Sequence, residues 1–195
     1  MAKETNNVLP QGTILQGKSY AYEIVRTLGQ GSFGITYLAK IEIQAALGSI
    51  STYVAVKEFF MGEINGRDGS TVTNGSNSGV FGKYKEKFVK EAINLSQLSH
   101  PNIVKVLETF ESNNTVYYSM EYIDGGSLET HITQKGKLSE EETLTYTRQI
   151  AEALKVMHGK NMLHLDLKPG NVMLKDGKTA VLIDFGLSKQ YDQNG

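Results

Sequence analysis

Three glycines, Gly29, Gly31 and Gly34, lie between two runs of strand-like sequence, and that placement limits what this chain can become. A Gly-x-Gly-x-x-Gly pattern also marks dinucleotide-binding folds, but those need a helix to open directly after the glycines. Here the chain continues Ile35-Thr36-Tyr37-Leu38-Ala39, rich in β-branched and aromatic residues. It arrives through Tyr20-Ala21-Tyr22-Glu23-Ile24-Val25-Arg26-Thr27-Leu28, which alternates roughly like a strand. The glycines therefore bridge the two strands of a hairpin. Without side chains, such a backbone can lie close to phosphate groups and turn its N–H groups toward them.

A further strand is predicted at Tyr53-Val54-Ala55-Val56-Lys57-Glu58-Phe59-Phe60, where alternation puts Ala55 and Lys57 on one face. A small residue beside a lysine suits a flat ring over the alanine and an anion at the ammonium. A lysine pointing to solvent is the plain alternative. Residues 61–82 carry six glycines among many Ser and Asn, with no apolar period, and read as a flexible insertion too polar to pack. A helix follows over Lys83–Leu98, with Phe88, Ala92, Leu95 and Leu98 or Ser99 as its apolar stripe. Glu91 sits at the edge of that stripe, either as a surface charge or as a partner for Lys57.

Beyond His100-Pro101-Asn102, strands are predicted at 103–110 and 115–122 around the turn Glu111–Asn114. A short helix over 127–134 precedes a longer one that opens with the capping box Ser139-Glu140-Glu141-Glu142 and runs to His158. Leu144, Thr147, Ile150, Ala151, Leu154 and Met157 supply its apolar area. Val172–Leu174 and Ala180–Ile183 form strands around Asp176-Gly177, a common hairpin signal. His131 and His158 read as surface or structural residues, and His164 as a packing residue.

The chemistry concentrates in His164-Leu165-Asp166-Leu167-Lys168-Pro169-Gly170-Asn171 and, 13 residues later, Asp184-Phe185-Gly186. Two carboxylates, an amide and a lysine crowd into a short loop and a strand end. Phosphoryl transfer uses such a set. One carboxylate accepts or orients the nucleophile's proton, the amide and the other carboxylate hold Mg²⁺, and the lysine steadies the moving phosphate. For any one of these residues alone, a solvated charged loop is the plainer reading.

Composition closes other routes. A formal net charge of −1 offers no basic field to nucleic acid or a membrane surface. The absence of cysteine excludes a disulfide framework and a thiolate zinc site. A polar N-terminus and the lack of any long apolar run lead to the expectation of a cytoplasmic protein. One competing motif stays open: Gly12-Thr-Ile-Leu-Gln-Gly17-Lys18-Ser19 satisfies the Walker A pattern, with Val181-Leu182-Ile183-Asp184 as a possible metal-binding strand. Its context is poor, because a P-loop needs a buried strand before it and a helix after it.

From about residue 19 onward, these motifs and their order resemble bacterial-type (Hanks-type) serine/threonine protein kinases. The resemblance implies an α+β, protein-kinase-like fold, with an antiparallel sheet lobe carrying one helix and the first part of a helical C-terminal lobe. It divides the chain into a lead-in (1–18), an N-lobe (19–122, with the insertion at 61–82), a hinge (123–126) and a partial C-lobe (127–195). It implies ATP and Mg²⁺ as cofactors and a protein Ser or Thr hydroxyl as acceptor.

Carried over by resemblance, nucleotide contact falls to Gly29, Gly31, Ser32, Phe33, Gly34, Thr36, Ala55, Met120, Glu121, Ile123 and Met173. Thr36 stands where valine is usual, Met120 backs the adenine pocket, and Glu121 and Ile123 act through backbone groups. Lys57 and Glu91 position the ATP phosphates, Asp166 is the base, Lys168 stabilises the transferring phosphate, and Asn171 and Asp184 hold Mg²⁺. Leu165 replaces an arginine that in many members pairs with a phosphorylated activation loop. The sequence stops nine residues past Gly186 without an Ala-Pro-Glu motif. The expectation is a truncated, weakly active or inactive kinase whose uncovered C-lobe surface invites self-association. The alternative is a pseudokinase-like nucleotide-binding module without transfer activity.

Overall fold

In the computed structural model, which describes residues 7–46, 48–73, 78–185 and 189–190, the strand-patterned half of the chain forms one antiparallel sheet. Its members are β1 (Ile14–Gln16), β2 (Ala21–Gly31), β3 (Gly34–Ala45), β4 (Gly48–Phe59), β7 (Val106–Ser112) and β8 (Thr115–Glu121). They lie in the order β1-β2-β3-β4-β8-β7. β2 and β3 join through the glycines, with Gly31 opposite Gly34 and Gly29 opposite Thr36. The alternation that predicted these strands is visible in β2, where Tyr22 and Ile24 are buried and Ala21 and Glu23 exposed. The chain forms two compact units, one gathering residues up to Ile93 with Val106–Tyr122, the other Asn94–Lys105 with Ile123 onward.

Helix α1 (Ser78–Ser96), which belongs to the first unit as far as Ile93, opens before the expected Lys83. Its Phe81 and Phe88 rings lie 5.1 and 5.5 Å from Phe59 of β4. Of the predicted stripe, Phe88, Ala92, Leu95 and Leu98 are all buried.

The expectation that residues 61–82 are too polar to pack does not hold. A small hairpin, β5 (Gly66–Asp68) and β6 (Thr71–Thr73), forms within the segment. Val72 is fully buried, and the Arg67 guanidinium bonds Glu58 of β4 and lies over the Phe60 ring. One valine and one guanidinium anchor a stretch that has no apolar period to announce it. Residues 74–77 lie outside the described set.

In the second unit, the Ser127 hydroxyl accepts the N–H of Thr130 to cap α2 (Leu128–Lys135). The capping box at Ser139 and Glu142 opens α3 (Glu140–His158) as predicted. β10 (Val172–Lys175) and β11 (Thr179–Leu182) pair around Asp176 and Gly177, whose φ of 53° and 65° suit the residues found there. A 3₁₀ turn at Pro169–Asn171 precedes β10, and β9 (Met162–Leu163) pairs with β12 (Lys189–Gln190).

The inward face of α3 differs from the predicted stripe. Tyr146, Ala153 and Met157 are buried, while Leu144 is 59% exposed. Polar bonds to the hairpin choose the face: Tyr146 donates its hydroxyl proton to Gly177 O (3.1 Å). Gln149 accepts the Ala180 N–H (2.6 Å) and donates to Lys178 O (3.2 Å). Among the described residues, no helix is long and apolar enough to cross a membrane.

Candidate active site

The first unit assembles a lysine, its counter-ion and an open glycine backbone. Strand register sets Thr36 opposite Lys57, and places Ala55 between Leu38 and Met120. Lys57 Nζ stands 3.5 Å from Glu91 Oε1, with the side chains 14% and 8% exposed. Of the two readings left open for Glu91, the pair is the one formed. Tyr118, opposite Lys57 on β8, donates its hydroxyl proton to the same carboxylate oxygen (3.1 Å), and the ammonium lies 5.7 Å from its ring centroid. Tyr118 escaped the sequence reading, because the register that sets it opposite Lys57 joins two strands far apart in the chain.

The three glycines serve different ends. A Cβ on Gly34 would meet Glu58 O at 2.6 Å, so this glycine lets β3 approach β4. A Cβ on Gly29 would meet nothing within 4 Å, and one on Gly31 only Gly34 O at 3.9 Å. Their backbone is therefore open on the side where a side chain would stand. Ser32 and Phe33 form the exposed turn between them, and Phe33 stacks on Tyr84 of α1. Met120 is buried, and Glu121 ends β8. Ile123, also buried, belongs to the second unit.

The second unit gathers Asp166, Lys168 and Asn171. The Pro169–Asn171 turn folds the Asn171 amide back, so that Nδ2 donates to both Asp166 O (2.9 Å) and Asp166 Oδ2 (2.8 Å). Lys168 Nζ donates to Asp166 Oδ2 at 2.9 Å. This lysine bond, reinforced by the Asn171 amide, holds the Asp166 carboxyl below its usual range. The same bond pushes the Lys168 ammonium up.

His164 is buried, with its ring 4.8 Å from Phe185, and its Nδ1 accepts the N–H of Asp166 (3.3 Å). Burial pushes its pKa down, so the neutral ring can accept. His164 is thus a packing residue, as expected, and also fixes the backbone of Asp166. Leu165 and Asp184 both adopt left-handed backbone (φ 62° and 57°), the kind of local strain that gathers at functional loops. Ile183 N–H donates to Asn171 O, tying the strand end before Asp184 to the loop. Met173 lies on β10 opposite Val181. Gly186 falls outside the described residues.

These groups fit MgATP chemically. Glycine backbone left open by the protein, a tethered ammonium and an ionised carboxylate are what a triphosphate and a hydroxyl nucleophile require. With its Nδ2 committed to Asp166, Asn171 could hold a cation through Oδ1, and Asp184 could add a carboxylate oxygen. An oxygen-only set this small suits Mg²⁺, which takes one or two carboxylates and completes its shell with phosphates and water.

The Walker A reading fails. β1 lies inside Gly12–Ser19 and pairs with β2, so a strand follows the motif where a helix is needed. The N–H groups of Lys18 and Ser19 donate to the Glu108 carboxylate at 3.1 and 3.0 Å.

Residues 22–195 match the family model described as Protein kinase domain. The chain belongs to the protein kinase family. Among similar kinases, human "Serine/threonine-protein kinase Nek5" is 34% identical over 86% of this chain and 21% of its own length. "Serine/threonine-protein kinase D1044.8" of Caenorhabditis elegans is 33% identical over 89% of this chain and 17% of its own. "Serine/threonine-protein kinase YPK3" of Saccharomyces cerevisiae is 33% identical over 87% and 33%. The solved structure "PpkA-294 apo form" superposes with a TM-score of 0.78 at 26% identity, covering 93% of this chain and 62% of that one. The chain thus spans a third or less of these three curated kinases.

Proposed function

We propose that this kinase chain binds ATP with Mg²⁺ and directs a protein Ser or Thr hydroxyl at the γ-phosphate. The observation that carries the reading is the Asp166 cluster: two donors converge on Oδ2 of one carboxylate and keep it ionised. Oδ1 is then the oxygen offered to the hydroxyl proton, while Lys168 stands beside it to meet charge on the transferring phosphate. Lys57, held by Glu91 and Tyr118, binds the phosphates of the nucleotide under the glycine hairpin. Asn171 and Asp184 hold the cation, which when bound neutralises phosphate charge. Ala55, Thr36, Met120, Met173 and the backbone groups of Glu121 and Ile123 are proposed to receive the base. A protein Ser or Thr as acceptor is supported by Lys168 two residues after Asp166 and by the serine/threonine kinases this chain resembles.

Calorimetric titration of ATP with Mg²⁺ into Lys57→Met and Asp184→Asn tests the nucleotide half. Losing a charge-assisted contact costs roughly 1.5–3 kcal/mol, tenfold or more in affinity. Unchanged affinity in both variants sinks the assignment. Transfer of γ-phosphate to a basic protein, with Asp166→Ala as blank, tests the catalytic half. Binding without Asp166-dependent transfer marks a nucleotide-binding module instead.

A further inference from the structure

We propose that Tyr84 is a positioning residue for the nucleotide: the point on α1 that docks the glycine hairpin through Phe33 and passes its occupancy to the helix. The inference rests on reading that hairpin as the nucleotide's cover. Phe33 sits at the tip of the turn, 41% exposed, between two glycines that leave the backbone little steric definition. Its ring finds one aromatic partner among the described residues, Tyr84, with centroids 5.3 Å apart and planes 21° from parallel. Lys87, one turn along, sets its ammonium 5.0 Å from the Tyr84 centroid. A backbone bond from Phe60 N–H to Phe33 O at 3.4 Å also ties the tip.

The front of α1 needs such a contact as much as the hairpin does. Gly79 and Gly82 lie in its opening turns, its first turn contains no acidic residue, and both features weaken a helix. Among the described residues, the aromatic contacts of Phe81 on Phe59 and Tyr84 on Phe33 help to hold it. Glu91 follows Tyr84 by seven residues, two helical turns, and so shares its face. One face of α1 therefore meets the hairpin tip at Tyr84 and Lys57 at Glu91. A nucleotide that orders the glycine backbone steadies Phe33, then the front of α1, then the partner of Lys57.

The full chain is titrated with a non-hydrolysable ATP analogue and Mg²⁺, and amide hydrogen exchange is read over residues 78–91. Wild type and Tyr84→Phe, which keeps the ring, are expected to gain protection on binding. Tyr84→Ala and Phe33→Ala are expected to lose that gain and to bind about two- to tenfold more weakly, the bias one aromatic stack supplies. The double variant is expected to be no worse than either single one. Wild-type protection and affinity in a folded Tyr84→Ala overturn the inference, as do additive losses or a wild type whose α1 exchange ignores the nucleotide. A wild type that binds no nucleotide overturns the functional reading and this inference together, whereas binding that ignores Tyr84 overturns this inference alone.

Discussion

Arg67 and Glu58 form a buried ion pair in the first unit, Nη2 to Oε2 at 2.6 Å, with side chains 3% and 0% exposed. Tyr37 and Tyr117 add their hydroxyl protons to the same carboxylate at 2.8 and 2.7 Å, and burial with that charge pushes both phenols up. Arg67 Nε also donates to Asn7 O, and Leu9 N–H donates to the Tyr37 hydroxyl. The carboxylate thus joins the 66–73 hairpin, the lead-in, β3 and β8 to the strand that carries Lys57.

Removing one partner of such a pair leaves a charge buried. Arg67→Met is expected to destabilise the chain by about 3–5 kcal/mol in urea unfolding, the usual consequence of orphaning a buried ion. A loss under about 1 kcal/mol would show that the tyrosine hydroxyls alone satisfy Glu58.

The glycines of the hairpin separate stability from binding. Gly34→Ala forces a Cβ against Glu58 O and is expected to cost about 1–3 kcal/mol of stability. Gly29→Ala and Gly31→Ala meet no crowding in the chain, so their urea midpoints should stay near wild type while ATP affinity falls. If ATP affinity is untouched in both, the open backbone is not where the nucleotide lies.

The role proposed for Asp166 as base carries a prediction for the pH profile of transfer. Its pKa is depressed from the ordinary 3.8, chiefly by Lys168, so the proposed base stays ionised as pH falls through the usual carboxylate range. Lys168→Met removes the main cause, and the acid limb of the rate profile is expected to move to higher pH. A slower enzyme with an unmoved acid limb would assign Lys168 to the phosphate alone.

Glu142 offers a test away from the site. Lys135, with the Ser139 cap behind it, draws its pKa from 4.5 down to about 2. For a depressed carboxyl the stabilisation is complete above the unfolded value and fades as pH falls toward the folded one. The contribution of Glu142 to α3 should therefore be intact above about pH 4.5 and lost on approach to pH 2. Carboxyl titration by NMR should find Glu142 higher in Lys135→Met.

Much of the sheet was legible because its strands alternate, whereas the strand and the helix stripe left Glu91 either exposed or paired, and only the resemblance matched it to Lys57. What stayed hidden was decided by polar bonds between distant segments. Arg67 lies in a stretch with no apolar period, and nothing local says that it will meet Glu58. Counting apolar residues on α3 favours the face of Leu144 and Ala151, yet Tyr146 and Gln149 turn the helix by satisfying backbone groups of a hairpin that follows it. Tyr118 stayed hidden as well, because its place opposite Lys57 depends on the register of two strands distant in the chain. So did the contact of Phe33 with Tyr84, since the two come from elements whose separation the sequence does not state.

Glu108 gives the Walker-like segment a meaning of its own. Its carboxylate takes the N–H groups of Lys18 and Ser19 and the hydroxyl proton of Tyr22, and any side chain at Gly17 would strike it. The turn is an anion receptor that carries its anion in the same chain. A pattern written for phosphate is answered here by a residue ninety positions away from Lys18, so the segment acts as a clasp fastening the first strand to the far edge of the sheet.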